Sequence, residues 1–448
     1  MAHKLHQDIN SQISTAVARL EALSKRAGNR SLGRANLKLA ELYLKKGKES
    51  GQRAAYERAI EYVRQGFAQS ANNLLVTATL VAVRGTTLCN LYEIDGDLSL
   101  LNQGLADLRR SYASLQQHKS AKAYHTVSEN LVVSLVRAGE QTGDIALLRE
   151  GLTLAEILLA ERRPKQNPTD LYPLINAHAV AQVRIGSYGA DTALVETAIQ
   201  TLRTYLTGSE LSTEAKLQTL QNLCAALIEN ARQTRSERVY RELLSWLFSL
   251  SHPIQNSSSA FFAQYYAQVS TELLGLTGDM AVADQAINTL EELVKWHQPN
   301  PFRQLESFHS LAQAHFQIGK LTEGERHFTA SIQAIEKALV LVNSETMPTD
   351  SRGHRLIAAL GTYKFALGLT IRKPELIKAA ADHYVSALRL VSPVKAPSLF
   401  VDVAKGLFNL YYQQKRWDSA LEVFESTEDA WSRIIASGNT QKRPYRVT

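Results

Sequence analysis

A ten-residue segment recurs along this chain at a fixed spacing, and this recurrence limits the possible architecture more than any other feature. The copies read GDLSLLNQGL, GDIALLREGL, ADTALVETAI and GDMAVADQAI, and they begin at Gly96, Gly143, Ala190 and Gly278. The acidic residues Asp97, Asp144 and Asp191 lie 47 residues apart, and Asp279 follows 88 residues later, close to two further units. A period of this size is typical of a solenoid, in which each repeat packs on its neighbours.

Small residues form a second periodic pattern. Pairs of small residues lie nineteen positions apart at Ala40 and Ala59, Gly85 and Gly104, Ala179 and Ala198, Ala267 and Ala286, and Gly361 and Ala380. Val132, nineteen positions before Gly151, is an exception. The spacing fits a helix, a loop and a second helix, with a small residue where the two antiparallel helices touch. A large side chain there would hold the axes apart and leave the core poorly packed.

The acidic residue of each copy is predicted to be a helix N-cap. Aspartate at an N-cap accepts hydrogen bonds from the backbone N–H groups that the first helical turn leaves unpaired. The preceding residue, usually glycine, would turn the chain between two helices. The repeated Gly-Asp therefore indicates a structural boundary rather than a ligand site.

Two later units carry a tighter motif. The stretch FHSLAQAHFQIGKLTEGERHFTAS places its key residues at Phe308, Leu311, Ala312, Gly324, Phe328 and Ser331. The stretch AKGLFNLYYQQKRWDSALEVFEST repeats the pattern with Leu407, Tyr411, Ala420 and Phe424, but has Phe408 where a small residue belongs. This motif resembles the tetratricopeptide repeat. The units with longer loops resemble the variant repeats that accompany caspase-like CHAT proteases in bacteria.

The resemblance implies an all-α, right-handed α-solenoid of about nine helix pairs that binds other proteins. Ile9, Ile13 and Ala16 lie on one face of a predicted capping helix in residues 1–30. We predict an N-terminal lobe at 31–250, a C-terminal lobe at 259–436 and a flexible basic tail at 437–448. The Pro- and Ser-rich residues 251–259 are the expected division between the lobes.

The bulk composition agrees with a folded protein and excludes few functions. The 448 residues are 45% hydrophobic and 21% charged, with only 11 prolines, and the net charge is +7. The cysteines Cys89 and Cys224 lie in apolar contexts far apart, which indicates small buried side chains rather than a disulfide framework. We find neither a signal-peptide pattern nor an apolar run of membrane-spanning length, and therefore expect a cytoplasmic protein.

No motif with catalytic spacing is present, so we expect no enzyme activity and no cofactor. His309, His315 and His327 are close in sequence, but on the predicted register they do not converge. A zinc site needs three or four convergent ligands, so we expect no metal.

The first helix of each pair should line the concave surface, and its outward residues at four-residue stride are candidate ligand contacts. These candidates are Gln264, Gln268 and Glu272; His309, Gln313 and Gln317; and Lys405, Asn409 and Gln413. Side-chain amides both donate and accept hydrogen bonds, which suits a peptide backbone. The same stripes are equally compatible with ordinary solvated helix faces.

Two functions follow from these surfaces. The first is a non-catalytic adaptor that holds a peptide or a partner protein, for which the resemblance suggests a separately encoded protease or a regulatory protein. The alternative is a nucleic-acid binder that uses Lys45, Arg137 and Arg184, since sequence-independent phosphate binding needs only clustered basic side chains.

Overall fold

A computed structural model describes residues 2–24, 29–70, 73–162, 168–208, 211–342, 352–394 and 397–436. In these ranges every regular element is a helix. The predicted basic tail at 437–448 lies outside the described residues.

The described residues form an N-terminal helix, nine consecutive helix pairs and a final short helix. The first half comprises α1 Ala2–Ser24, α2 Asn29–Ser50, α3 Arg53–Ser70, α4 Leu74–Asp95, α5 Leu98–Ser114, α6 Lys122–Thr142, α7 Ile145–Arg162, α8 Tyr172–Gly189, α9 Thr192–Gly208 and α10 Thr213–Thr234. The second half comprises α11 Glu237–Ser251, α12 Ser257–Thr277, α13 Met280–Trp296, α14 Pro301–Thr322, α15 Glu325–Val342, α16 Arg352–Thr370, α17 Pro374–Leu390, α18 Pro397–Gln413, α19 Trp417–Ser426 and α20 Glu428–Ala436.

Packing follows the order of the chain. The two helices contact each other in the pairs α2–α3, α4–α5, α6–α7, α8–α9, α12–α13, α14–α15, α16–α17 and α18–α19. First helices of successive pairs also make contact, as α4 does with α6 and α12 with α14. This near-neighbour pattern defines an α-solenoid. The all-α repeat architecture of nine pairs with an N-terminal cap is therefore confirmed.

The chain forms two compact units, residues 1–223 and 224–448. Their division lies within α10, earlier than the interval 251–259 that the sequence favoured. Within the second unit that interval is a tight connection, because α11 packs directly on α12. The His252 ring stacks 4.4 Å from Phe248 and meets Tyr266 edge-on at 5.2 Å, and Asn256 caps α12.

The Gly-Asp boundaries have the predicted geometry. Asp97, Asp144, Asp191 and Asp279 each accept a hydrogen bond from a backbone N–H in the first turn of the following helix, at 2.8 to 3.1 Å. The preceding residues are left-handed, with φ of 67°, 73°, 53° and 71° at Gly96, Gly143, Ala190 and Gly278. One residue therefore ends a helix and the next begins another.

The paired small residues lie where the helices approach most closely. A Cβ atom added to Gly85 would lie 2.7 Å from the carbonyl oxygen of Gly104, and one added to Gly104 would lie 2.7 Å from that of Gly85. At the exceptional unit, a Cβ atom on Gly151 would lie 2.8 Å from a Val136 methyl group. The alanines of the other pairs are fully buried. Close helix contact at these positions is confirmed.

One described helix, α4, is long and apolar enough to span a membrane, which corrects our expectation that no apolar run approaches that length. About three quarters of its apolar window, 72%, is buried inside the protein. Ala78, Ala82 and Cys89 of this helix belong to the core of the first unit, together with residues of α5 and α6. Its apolar character is thus accounted for by helix packing.

The two ends of the array are covered differently. At the N-terminal end, Ile9 and Ile13 of α1 pack on Leu42 of α2, so the predicted capping helix is confirmed. At the C-terminal end, α20 packs on α18 through Ala430 and Trp431. Helix α20 was not predicted as an element separate from the last pair.

Gly275, in the last turn of α12, and Gly278, directly after its end, allow a test of the cap geometry. A Cβ atom at either position would meet nothing within 4 Å, so an alanine there causes no steric clash. Gly278→Ala should lower the free energy of unfolding by about 1–2 kcal/mol because φ is +71° there. Gly275→Ala should raise it by about 0.5–1 kcal/mol because alanine favours a helix interior. Urea unfolding followed by circular dichroism measures both, and changes of the same sign would contradict the assigned boundary.

Candidate functional site

The second unit contains a groove of about 660 Å³ between the first helices of three successive pairs. The helices are α12, α14 and α16, and Arg232 of α10 closes one end. Its lining includes Gln264, Ala267, Gln268, Glu272, Leu290, His309, Ser310, Gln313, Phe316, Gln317, Ala359, Thr362 and Tyr363.

The groove brings together two of the three predicted stripes. All six residues of the α12 and α14 stripes line it. The third stripe does not, because α16 lies between α14 and α18 in the packing order. Lys405, Asn409 and Gln413 are exposed on α18, outside the groove.

On the α12 wall, each glutamine amide is held by a neighbour. Gln264 donates to the Ser310 hydroxyl at 2.6 Å, and Gln268 donates to Glu272 at 3.2 Å. Arg232 donates to both carboxylate oxygens of Glu272, and the Tyr240 hydroxyl donates to one of them at 3.2 Å. The Glu272 charge is therefore neutralised within the protein. Burial and this carboxylate raise the pKa of Tyr240 to about 12.

The α14 wall carries two more amides. Gln313 Nε2 lies 3.3 Å from His309 Nε2, and Gln317 makes no side-chain hydrogen bond within the described part of the chain. Burial and the nearby Arg355 charge lower the pKa of His309. The His309 imidazole is thus neutral at physiological pH, and one of its nitrogens can accept the Gln313 hydrogen bond.

The floor is apolar and was not predicted. Ala267, Leu290, Phe316, Ala359 and Tyr363 contribute to it, and the rings of Phe316 and Tyr363 lie 4.7 Å apart. The register used for the other stripes, applied around Gly361 of α16, would have indicated Ala358, Thr362 and Ala366. Of these three residues, Thr362 lines the groove.

The basic residues of the alternative site are all paired with acids. Lys45 lies 3.9 Å from Glu49, Arg137 lies 2.6 Å from Glu93, and Arg184 lies 2.8 Å from Glu140. The last two pairs join the first helices of successive repeats. A site that binds phosphate needs uncompensated positive charge. These side chains therefore offer less to a nucleic acid than the sequence suggested.

The histidine cluster differs from the prediction in one respect. His309 lines the groove, but His315 and His327 do meet, with their Nδ1 atoms 3.2 Å apart. The register predicted that His315 of α14 points into the interior of its helix pair. Because it does so, it faces α15 and meets His327 there. Across the described ranges, no group of three or more His, Cys, Asp or Glu residues could hold a metal ion.

Both cysteines are buried, as predicted. Burial raises the pKa of the Cys89 and Cys224 thiols to about 12, so both remain protonated at neutral pH. A protonated, buried thiol is a poor nucleophile. Neither cysteine lines the groove of the second unit.

No known protein family matches the sequence, and no curated protein is significantly similar to it. Among solved structures, the chain is similar to a signal-transduction ATPase with a tetratricopeptide repeat sensor from Pyrococcus horikoshii, with 11% identity and a TM-score of 0.44 over 92% of this chain and 54% of that chain. The chain thus spans about half the length of that protein.

Two other similar structures are the apo form of RapI and human IFIT1 with PPP-AAAA. RapI has 12% identity and a TM-score of 0.43, over 89% of this chain and 99% of that chain. IFIT1 has 12% identity and a TM-score of 0.38, over 93% of this chain and 94% of that chain. Similarities of this size carry no inference about a ligand or an activity.

The His315–His327 contact predicts a pH dependence of stability. Burial, His327 and Arg326 lower the pKa of His315 from 6.5 to about 4, and burial and Arg326 also lower that of His327 against an opposing effect of Asp284. Between these pH values the unfolded chain binds more protons than the folded one, so stability falls as the pH drops from 6.5 towards 4.

When the pH drops from about 7 to about 4.5, the melting temperature of the His315→Gln variant should therefore fall less than that of the wild type. Exposed His118, which lies outside this contact, supplies the control variant His118→Gln. Equal acid sensitivity of all three proteins would show that the imidazole contact does not affect acid stability.

Proposed function

We propose that this protein is a non-catalytic interaction module, and that the groove of its second unit binds an extended segment of a partner protein. The observation that carries the proposal is the convergence of Gln264, Gln268, Gln313 and Gln317 on one groove with an apolar floor. Four amides along two facing helices offer regularly spaced hydrogen bonds, which is what a peptide backbone requires.

The hydrogen bonds of the walls set the polarity of this surface. The amide nitrogens of Gln264, Gln268 and Gln313 are directed at Ser310, Glu272 and His309. Their carbonyl oxygens have no donor among the described residues and can accept backbone N–H groups of a ligand. Gln317 can both donate and accept. The groove therefore favours a peptide segment with uncharged side chains, whose backbone N–H groups donate to these amide oxygens.

The size of the groove sets the length and character of the segment. The stripe from Gln264 to Glu272 spans eight residue steps and is therefore about 12 Å long at 1.5 Å per residue. An extended peptide advances about 3.3 Å per residue, so about four residues fit along it. Alternate side chains would point to the floor formed by Ala267, Leu290 and Phe316. A small or medium apolar side chain is the best fit there.

The identity of the partner is a separate question. A separately encoded caspase-like protease or another regulatory protein, which the repeat resemblance implies, stays a prediction. The nucleic-acid alternative is less well supported because Arg137 and Arg184 form ion pairs with Glu93 and Glu140.

Selection from a displayed library of random peptides tests the groove. Gln313→Ala with Gln317→Ala should weaken a selected peptide by about 10- to 100-fold, since each lost hydrogen bond is worth about 0.5–1.5 kcal/mol. Ala359→Trp should abolish binding by filling the floor. The matched control is Asn409→Ala with Gln413→Ala, which removes two exposed amides of α18 outside the groove. Isothermal titration calorimetry gives the affinities.

Two results would contradict the proposal. One is a set of selected peptides that bind the Gln313, Gln317 and Ala359 variants as tightly as the wild type. The other is retention of RNA with a steep salt dependence, lost on replacing Arg137 and Arg184 by glutamine but kept in the groove variants, which would favour the nucleic-acid alternative.

A further inference from the structure

The last helix pair exposes an apolar stripe. Trp417, Leu421 and Phe424 lie at positions i, i+4 and i+7 of α19, hence on one face, and are 55%, 55% and 41% exposed. Tyr412, at the end of α18, is 52% exposed, and its ring meets Trp417 edge-on at 5.1 Å. Contiguous exposed aromatic and leucine side chains mark an interaction surface.

A comparison of the last repeat with an earlier one indicates that the apolar face of α19 fits another helix. Phe424 occupies the same motif position as Phe328 of α15, sixteen residues after the position that is Ala312 in one unit and Phe408 in the other. Phe328 is only 4% exposed, since it lies in the core that α15 forms with α14 and α16. Phe424 lacks such a cover, because α20 packs mainly against α18 instead of over α19. A further helix packed on this face of α19 would therefore cover Phe424 in the way that neighbouring helices cover Phe328.

The charges around the stripe are segregated along the helix. Lys415 and Arg416 directly precede α19, whereas the helix itself carries Asp418, Glu422 and Glu425 and no basic residue. Arg416 donates to Ser419 and lies over the Tyr411 ring. Neither Lys415 nor any of the three acids forms an ion pair within the described ranges. The segment that precedes α19 thus carries positive charge, whereas the helix itself carries only negative charge.

We propose that this face binds a second copy of the same chain, with the two α19 helices antiparallel. A two-fold axis near Leu421 would place Lys415 and Arg416 of each copy beside Glu425 of the other, with Glu422 about one helical turn further away. It would also bring Trp417 of one copy against Phe424 of the other. Such a contact is self-complementary, as a two-fold interface must be, and it covers the apolar stripe with a helix. The contact is independent of the groove in α12, α14 and α16.

Sedimentation velocity of the full chain, from about 1 to 100 µM, tests the proposal. The wild type should dimerise in this range, and the emission of Trp417 should shift to shorter wavelength as the dimer forms. Leu421→Glu should weaken dimerisation about 100-fold or more, because it brings a carboxylate into an apolar contact. Val340→Glu is the matched control, since Val340 is 71% exposed on α15, away from α19. Unchanged melting temperatures would show that both variants fold.

Charge exchange tests the antiparallel arrangement. Lys415→Glu with Arg416→Glu should prevent self-association, and so should Glu422→Lys with Glu425→Lys. An equimolar mixture of the two double variants should form a heterodimer, because each copy then meets the opposite charge at both ends.

Two outcomes would overturn the proposal. A wild-type chain that is monomeric at the highest concentration would assign this face to residues 437–448 or to another protein. A dimer that is insensitive to Leu421→Glu and to the charge exchanges would lie elsewhere on the molecule. In neither case would peptide binding by the groove be affected, so the two proposals fail independently.

Discussion

Direct contact between the backbones of paired helices is the constraint on which the rest of this structure depends. At Gly85 and Gly104 any side chain would reach within 2.7 Å of the facing carbonyl oxygen. Elsewhere buried alanines allow a similar approach. Because the axes are close, each pair presents a continuous apolar surface to the next pair, and the array can extend by repetition.

The loops between the helices convert that contact into a repeat. A left-handed residue ends one helix and an aspartate begins the next, so the turn occupies two residues. Ala190 shows that glycine is preferred there but not required, since alanine adopts the left-handed conformation at a cost of about 1–2 kcal/mol. In that unit Ala179 of α8 and Ala198 of α9 are both fully buried, and the two helices are in contact.

The two units use the outward faces of their first helices differently. In the first unit, arginines of successive repeats pair with glutamates of the preceding repeat, as Arg137 does with Glu93 and Arg184 with Glu140. In the second unit only Arg232 and Glu272 are charged among the residues that line the groove, and they pair with each other. The remaining surface is uncharged amide and small apolar side chains. Ion pairs therefore join successive repeats in both units, and in the second unit uncharged amides also line a groove.

The sequence by itself determined the repeat, the helix boundaries and the positions of close contact, because caps and small residues act over a few neighbouring positions. It also indicated which side chains of α12 and α14 face outward into the groove, since stride along one helix is a local property. Which stripes share a groove was decided only by tertiary structure: Ala359, Thr362 and Tyr363 of α16 line the groove beside the α12 and α14 stripes, whereas Lys405, Asn409 and Gln413 lie outside it. The pairing of Arg137, Arg184 and Glu272 was likewise invisible in sequence, because each partner lies about 40 residues away on another helix.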